Sequence, residues 1–201
     1  MKVRSLMMAD PITIQENASV EEAIALMKSS RIRHLPVVSG DNSLRGFLTL
    51  ADLKEGLLPS MLSDVSLKDL IIRDPITVAP DDDIEKAARR IYRHKISGLP
   101  VVEGNRLVGI LTESDILRTF IDMMGILTSS SRLEVVIRDD PSAFKKALQI
   151  IQASGGDIIN VSLTVQETGS RIYYFRLFPC NTQNICEALE AEGFSVPNAQ
   201  D

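Results

Sequence analysis

The sequence has no tryptophan and few aromatic residues of any kind, which make up 4% of its 201 residues. A core without large aromatic rings has to be built from Ile, Leu, Val and Met. These are plentiful, because 44% of the residues are hydrophobic and only 24% are charged. This composition is typical of an ordinary globular protein and excludes a largely disordered chain.

The sequence also lacks an excess of positive charge and long apolar runs. Its net charge is -5, which gives no general attraction to nucleic acid or to anionic lipid. No run approaches the roughly 18 to 20 apolar residues that span a bilayer. The chain reaches Asp10 and Pro11 before the apolar core of a signal peptide could form. We therefore expect a cytoplasmic protein with neither a nucleic-acid nor a membrane partner.

Residues that commonly carry catalysis are scarce. The two histidines, His34 and His94, stand at non-equivalent places. Cys180 and Cys186 have no second pair and no nearby histidine, which favours reduced, partly buried structural thiols over a metal site. A Gly-Lys-Ser/Thr phosphate loop and a nucleophile elbow are both missing. We expect no metal, no required cofactor and no enzymatic activity, with a slow nucleotide-hydrolysing enzyme as the catalytic alternative.

What the sequence does have is an internal repeat. Asp10-Pro11-Ile12-Thr13 returns as Asp74-Pro75-Ile76-Thr77, and Leu35-Pro36-Val37-Val38 returns as Leu99-Pro100-Val101-Val102, both 64 residues later. A Gly-x-x-Thr-x-x-Asp segment at 46–52 returns 63 residues later at 109–115. A slip of one residue at a turn, with register kept on both sides, indicates a duplicated folding unit. Two such units packed together create paired clefts.

Each copy predicts the order strand, helix, strand, strand, helix. The first helix has apolar residues at helical spacing and a serine cap, and the second begins after three aspartates that capping explains without a metal. The residues concerned are Ser19, Val20, Ala23, Ile24 and Met27, then Asp81, Asp82, Asp83, Ile84, Ala87, Ala88 and Ile91. Strands are predicted at 35–38 and 44–48, and again at 99–102 and 107–111.

The prolines inside the repeated strands carry a further prediction. Pro36 and Pro100 have no N–H to donate, so their strands are expected at a sheet edge, or the prolines at a strand's first residues. Backbone groups near both prolines would then be unpaired and free to meet a ligand.

The Gly-x-x-Thr-x-x-Asp segment is the most informative candidate for chemistry. Its threonine and aspartate, Thr49 with Asp52 and Thr112 with Asp115, lie where a helix begins. Free backbone amides and the helix dipole favour an anion there, and a carboxylate can accept both hydroxyls of a ribose. The alternative is an ordinary helix cap. Two copies at matched positions favour ligand binding.

These motifs resemble those of the CBS domain family, regulatory modules that associate in pairs as a Bateman module and commonly bind adenine nucleotides or related adenosyl ligands. The resemblance implies AMP, ADP, ATP or S-adenosylmethionine as candidate ligands. It also implies two clefts that each draw on both copies. The first combines Met7, Met8, Arg33, His34, Leu35 and Pro36 with Thr112, Ser114 and Asp115. The second combines Ile71, Ile72, Ser97, Gly98, Leu99 and Pro100 with Thr49 and Asp52.

The two copies differ beside the Leu-Pro strand. Arg33 and His34 occupy the positions that become Ser97 and Gly98, so only the Asp115 cleft has two potential cations beside its strand. We expect the Asp115 cleft to prefer a phosphorylated adenine nucleotide. The Asp52 cleft is then weaker, takes a less charged adenosyl ligand, or stays empty. One alternative is that Arg31 and Arg33 form a solvated helix end with His34 as a surface contact. The other is that Arg93, His94 and Lys95 supply charge to the second cleft.

Beyond a polar linker at 128–131 a different pattern begins. It predicts a strand at 133–137, a helix at 141–153 and strands at 158–165 and 171–178 around the turn Glu167-Thr168-Gly169-Ser170, then a helix at 182–192 and a strand at 194–196. This βαββαβ order is ferredoxin-like. With Asp139-Asp140-Pro141 after the first strand, the segment resembles an ACT domain, a module that often binds amino acids. Ser142 replaces the usual glycine, so a dimerising role is the alternative.

We therefore expect an α/β (α+β) protein with CBS domains at 1–60 and 61–127, a linker at 128–131 and an ACT domain at 132–201. This domain order is similar to that of the acetoin-utilisation protein B family. The resemblance implies a non-catalytic regulatory protein that binds an adenosyl ligand, forms a homodimer and acts on an unknown regulated protein. A dimeric scaffold with vestigial clefts is the alternative function.

Overall fold

A computed structural model describes residues 1–56, 66–138, 140–165 and 171–201. These residues form two compact units, Met1–Leu117 and Arg118–Asp201. The predicted domain boundary between residues 60 and 61, the turn at 167–170 and Asp139 lie outside the described residues. No helix in the described ranges is long and apolar enough to cross a membrane.

The first unit contains both repeats. The first repeat consists of a short 3-10 helix Val3–Ser5, β1 Met8–Ala9, β2 Ile14–Gln15, α1 Val20–Ser30, β3 His34–Val38, β4 Leu44–Thr49 and α2 Leu50–Gly56. The second consists of α3 Leu67–Leu70, α4 Ile84–His94, β5 Gly98–Glu103, β6 Arg106–Thr112 and α5 Glu113–Met123, whose last turns belong to the second unit. The predicted order of strand, helix, strand, strand, helix is confirmed in the first copy. In the second copy the helix, two strands and helix are confirmed, but the segment before the helix contributes only isolated bridges at Ile72 and Val78 in place of an opening strand.

Local sequence explains the boundaries of the repeated helix. Ser19 Oγ accepts a hydrogen bond from the Glu22 amide, and the Glu22 carboxylate accepts one from the Ser19 amide. These two bonds form a capping box at the start of α1. Arg31 and Lys95 end α1 and α4 in the left-handed conformation, with φ of 55° and 52°. Each repeat then buries an aliphatic core, which contains Leu35 in the first and Leu99 in the second. Each core also takes residues from the other repeat, Leu67 and Ile71 in the first and Val3 in the second.

Ion pairs and backbone bonds occupy the three aspartates before α4. Asp81 pairs with Arg4, Asp82 with Lys86 and Asp83 with Lys2. Asp82 also accepts the Ala79 amide at 2.9 Å. Asp83 holds the N-cap position without a capping bond from its side chain. The aspartates therefore link the start of α4 to the beginning of the chain.

The repeats form two three-stranded sheets, ordered β2-β3-β4 and β1-β6-β5. The edge prediction is correct for β5 and wrong for β3, which is central. Pro36 is tolerated there because β2 pairs only with Val37 and Val38, so the missing N–H faces no ladder partner on that side. The Pro100 carbonyl is not free for a ligand, because it accepts the Val78 amide at 3.1 Å.

The second unit continues with β7 Ser131–Ile137, α6 Pro141–Ala153, β8 Ile158–Val165, β9 Arg171–Leu177, α7 Thr182–Ala191 and β10 Ser195–Gln200. The sheet is antiparallel with strand order β10-β7-β9-β8, which is the ferredoxin-like arrangement. Its helical side buries a core that includes Val135, Phe175 and Ile185. The expectation of a core without aromatic rings is wrong for this unit, because Tyr173 and Phe175 are both buried in it.

Two details of this unit differ from the prediction. Ser131 belongs to β7 and not to a linker: it is fully buried, and its hydroxyl bonds both the amide and the carbonyl of Cys180. The last strand is longer than predicted and runs to Gln200 along β7. Cys180 and Cys186 are free and partly buried, as predicted.

Candidate ligand-binding clefts

The two repeats complete each other by exchanging the segments that precede their helices. β1, which precedes the first repeat's helix, pairs with β6 of the second repeat at Met8 and Ile110. Ile72, which precedes the second repeat's helix, exchanges two backbone hydrogen bonds with Phe47 of β4, at 3.0 and 2.9 Å. Each cleft at the end of a β-hairpin is therefore walled by the other repeat.

The glycine of each Gly-x-x-Thr-x-x-Asp motif makes this exchange possible. A Cβ at Gly109 would lie 2.7 Å from Met7 Sδ and 3.0 Å from the Met8 carbonyl oxygen. A Cβ at Gly46 would lie 2.9 Å from the Ile72 carbonyl oxygen. A side chain at either position would force the exchanged segment or its side chains to move, so the close approach of that segment favours the repeated glycine.

The threonine and aspartate of the motif form a ring at the start of the following helix. In the first copy Asp52 Oδ2 accepts the Thr49 hydroxyl at 2.5 Å and the Thr49 amide at 3.0 Å, while the Asp52 amide donates to Thr49 Oγ1 at 3.2 Å. Thr112 and Asp115 repeat this ring at 2.6, 2.8 and 3.3 Å. The helix-cap role left open by the sequence is therefore real. In the first copy, both hydrogen bonds of this cap are accepted by Asp52 Oδ2 and neither by Oδ1.

The structure contains a cleft of about 360 Å³ beside Asp52. Of the residues predicted for this cleft, Thr49, Asp52, Ile72, Ser97 and Gly98 line it. Further lining comes from Phe47, Ala51, Asp74, Pro75, Ile76, Lys95 and Ile96.

Three residues predicted for the Asp52 cleft do not line it. Ile71, Leu99 and Pro100 are buried, and Leu99 is wholly inside the core of its repeat. Sequence reasoning offered Lys95 only as an alternative source of charge and missed Ile96 as part of the wall. The signal available for them was their position directly before Ser97, where Lys95 turns the chain from α4 into β5.

The residues predicted for the Asp115 cleft are arranged differently. Met7 and Met8 lie along β6, and Leu35 and Pro36 are buried. Arg33 and His34 line a separate hollow of about 290 Å³ together with Lys54, Ser97 and Glu113. Thr112, Ser114 and Asp115 are not among the lining residues of this hollow in the described part of the chain.

His34 is not the second cation that the sequence predicts for the Asp115 cleft. It is 8% exposed, and its Nε2 lies 2.7 Å from the Ser97 hydroxyl of the other repeat. Its ring stacks on Phe47 with centroids 5.9 Å apart. Burial is the main cause that lowers its pKa and the positive charge of Arg33 adds to it, so the imidazole is neutral at neutral pH.

The residues in which the repeats diverge are thus in direct contact. A Cβ at Gly98 would lie 2.8 Å from His34 Cδ2, so the missing side chain at Gly98 makes room for the imidazole. The two copies therefore differ here in side-chain volume as well as in charge: the large His34 of one copy fills the space left by the small Gly98 of the other.

In the second unit, the start of α6 takes up the residues that indicated an amino-acid site. The Asp140 carboxylate accepts the Ser142 amide at 2.9 Å and the Ser142 hydroxyl at 2.7 Å. These bonds lower the Asp140 pKa and use the Ser142 groups locally.

Comparison with known sequences finds the CBS domain family model twice, at residues 3–58 and 67–122. A homoserine O-acetyltransferase of Methanosalsum zhilinae is 37% identical over 115 residues, which are 57% of this chain and 23% of that enzyme. The matched part of this chain therefore corresponds to 23% of the length of that enzyme.

Three solved structures are similar over most of their own length. A CBS domain pair in complex with 5′-methylthioadenosine and S-adenosyl-L-methionine is 31% identical with a TM-score of 0.56, over 60% of this chain and 95% of that one. A Vibrio cholerae protein assigned to acetoin utilization is 31% identical with a TM-score of 0.56, over 63% and 95%. The protein CBSX2 in complex with AMP is 26% identical with a TM-score of 0.54, over 60% and 96%.

Proposed function

The chain belongs to the CBS domain family, and we propose that it is a non-catalytic regulatory protein that binds an adenosyl ligand in the Asp52 cleft. The observation that carries this proposal is the combination, in one cleft of about 360 Å³, of the Asp52 carboxylate with apolar walls from both repeats. Cavities of about 300 to 1,000 Å³ are the usual size of small-molecule sites.

The chemistry of the cleft suits each part of an adenosyl ligand. Ile72, Ile76 and Ile96 offer apolar surface for a purine ring. The helix cap leaves Asp52 Oδ1 unused, and this oxygen can accept a ribose hydroxyl. Lys95 supplies a positive charge for a phosphate or a carboxylate at the rim.

The ligands of the similar structures support this class of ligand. One CBS pair binds 5′-methylthioadenosine and S-adenosyl-L-methionine, and CBSX2 binds AMP. All three molecules share the adenosyl group and differ in the substituent on the ribose. We assign the adenosyl group to the apolar part of the Asp52 cleft. Lys95 would then determine which substituent on the ribose binds best.

Our preference for the Asp52 cleft reverses the order expected from the sequence. That expectation depended on Arg33 and His34 as two cations in the Asp115 cleft. His34 is buried, neutral at neutral pH and bonded to Ser97, whereas Lys95 lines the Asp52 cleft. The Asp52 cleft therefore combines two carboxylates, Asp52 and Asp74, with the Lys95 cation and apolar walls.

Matched substitutions test this proposal by calorimetric titration with AMP, ATP and S-adenosylmethionine. Asp52→Asn and Asp115→Asn remove the same carboxylate from equivalent helix caps, so the cost to folding is comparable. We expect Asp52→Asn to weaken binding of at least one ligand tenfold or more, and Asp115→Asn to change it by less than twofold. The reverse pattern would favour the Asp115 cleft. Binding that neither substitution alters would overturn the proposal.

The same preparations test the absence of catalysis. We expect no release of phosphate from ATP above the buffer control. Turnover that Asp52→Asn abolishes would identify a nucleotide hydrolase.

The regulated process and the assembly are finer parts of the proposal. The order of a CBS pair and a ferredoxin-like unit, together with the similar Vibrio cholerae structure, supports a role in acetoin utilisation. We assign the second unit to the ACT family and to formation of a homodimer. Growth on acetoin after deletion of the gene tests the first assignment. Light scattering of the full chain tests the homodimer.

A further inference from the structure

The sheet of the second unit has an open face that carries an unfavourable arrangement of charge. Arg132 of β7 and Arg176 of β9 are directly opposite each other in the antiparallel register. Like charges at directly opposed positions destabilise a sheet. In the described part of the chain, neither guanidinium lies within ion-pair distance of a carboxylate.

Both arginines are nevertheless held in place by neutral partners. Arg176 Nη1 donates to the Ser130 hydroxyl at 2.7 Å. The Arg176 side chain also passes close to Gly125, where an added Cβ would lie 3.2 Å from Arg176 Cδ. Arg132 donates to Gln200 of the neighbouring strand β10. These partners orient the guanidinium groups without neutralising them, because serine and glutamine oxygens carry no net charge.

The two arginines line a cavity of about 590 Å³ that belongs entirely to the second unit. Next to the arginine row runs a second cross-strand row of polar side chains, in which Glu134 is opposite Tyr174 and Tyr174 is opposite Ser162. Met124, Ile126 and Leu163 add apolar surface to the lining. The cavity thus has a cationic row, a second row that includes the Glu134 carboxylate, which accepts a hydrogen bond from Asn198 at 3.1 Å, and an apolar rim.

We propose that this face of the sheet binds a small organic anion, a carboxylate or a phosphate ester, whose oxygens are held between Arg132 and Arg176. Each planar guanidinium can bind two oxygens of such a group at once. The bound anion would also remove the repulsion between the arginines. The apolar rim and Tyr174 would receive the body of the ligand.

Thermal unfolding of the full chain tests this site with succinate and inorganic phosphate as probes, against sodium chloride at equal ionic strength. The double variant Arg132→Gln, Arg176→Gln removes the cationic row. Arg138→Gln is the matched control, because Arg138 is an exposed arginine just beyond β7 and outside the cavity lining. We expect either probe to raise the unfolding midpoint of the wild type and of Arg138→Gln in a saturable way.

The double variant is expected to change the midpoint in two opposite ways. Without a probe its midpoint rises, because the repulsion is gone, and with a probe the saturable increase is lost. Arg132→Lys keeps the charge but loses the planar guanidinium that can bind two oxygens at once. We expect this variant to need a several-fold higher probe concentration for the same increase in midpoint. Stabilisation by succinate alone or by phosphate alone identifies the anion class.

Two outcomes would overturn the site. The first is no saturable effect in the wild type, or one that survives the double variant. The second is a change of oligomeric state in the double variant without any dependence on the probes, which would assign this face to a contact with a second copy of the chain.

Discussion

His34 is the residue through which the two repeats contact each other at positions where their sequences differ. Its imidazole meets the hydroxyl of Ser97 and occupies the space left by Gly98. Burial and Arg33 lower its pKa, while Glu113, Asp115 and Asp52 act in the opposite direction. The net direction is downward, so the folded protein holds the neutral ring.

The lowered pKa of His34 predicts a dependence of stability on pH. The unfolded chain binds a proton at His34 near pH 6.5 and the folded chain does not, so stability is complete above that pH and is lost as the pH falls towards the lowered pKa. The free energy of unfolding should fall by at most about 1.4 kcal/mol per pH unit in this window. Urea unfolding of the wild type and His34→Gln at pH 7.5 and 5.5 measures the difference.

The second histidine provides the control for this measurement. His94 is exposed near the end of α4, and His94→Gln should keep the wild-type dependence on pH. Equal losses of stability in the wild type and in His34→Gln between the two pH values would contradict the assignment.

At the scale of elements, the exchange of β1 onto β6 depends on one glycine. Gly109→Ala would place a Cβ 3.0 Å from the Met8 carbonyl oxygen, so β1 has to move away from β6. Such overpacking costs about 1 to 3 kcal/mol. We expect Gly109→Ala to lower the free energy of unfolding by this amount in a urea titration.

Gly40→Ala is the matched substitution for Gly109→Ala. It introduces the same methyl group at a position where nothing lies within 4 Å. We expect a change within about 0.5 kcal/mol for this exposed site. Similar losses for the two alanine variants would show that β1 does not depend on the close approach at Gly109.

Elements with clear end signals could be predicted from the sequence. The bounds of α6 are as predicted because Asp140-Pro141 starts the helix and Gly155-Gly156 follows it. The extent of β10 could not be predicted, because the segment contains Pro197 and is almost fully exposed. An opening strand was expected in the first copy, but the pairing of β1 with β6 could not be predicted, because that partner lies in the other repeat.

The candidate cleft was predictable where the repeated motifs supply its residues. Thr49, Asp52 and Ile72 follow from the repeat together with the family resemblance. The neutral state of His34 could not be predicted, since it depends on burial against Ser97 and Phe47 of distant segments. The opposed pair Arg132 and Arg176 was equally hidden, because it depends on the register between β7 and β9.

At the scale of the whole molecule, the two units have separate cores. The first unit contains the aliphatic cores of both repeats, and the second contains a core with aromatic rings, in which Phe144 lies 4.8 Å from Tyr173 between centroids. The cavities also belong to single units. The Asp52 cleft lies within Met1–Leu117 and the cavity with the two arginines within Arg118–Asp201.

This division predicts where ligands protect the chain. A ligand that binds only the folded state raises the free energy of unfolding by about 2.7 kcal/mol when its concentration is 100 times its dissociation constant. With AMP or S-adenosylmethionine we expect slower hydrogen exchange in β4 and β5, whose residues wall the Asp52 cleft. With succinate or phosphate we expect it in β7 and β9. Hydrogen exchange followed by mass spectrometry separates these strands, because each lies in a different peptide of the chain.

A core substitution in each unit turns this prediction into a stricter test. Leu99 and Leu133 are both fully buried, one in each unit, and replacement of either by alanine costs about 2 to 5 kcal/mol. Leu99→Ala loosens the strand next to Gly98 and should weaken adenosyl binding, whereas Leu133→Ala should leave it intact. If Leu133→Ala abolished adenosyl binding and Leu99→Ala did not, the ligand would have to be sought in the second unit and the Asp52 cleft would no longer be its site.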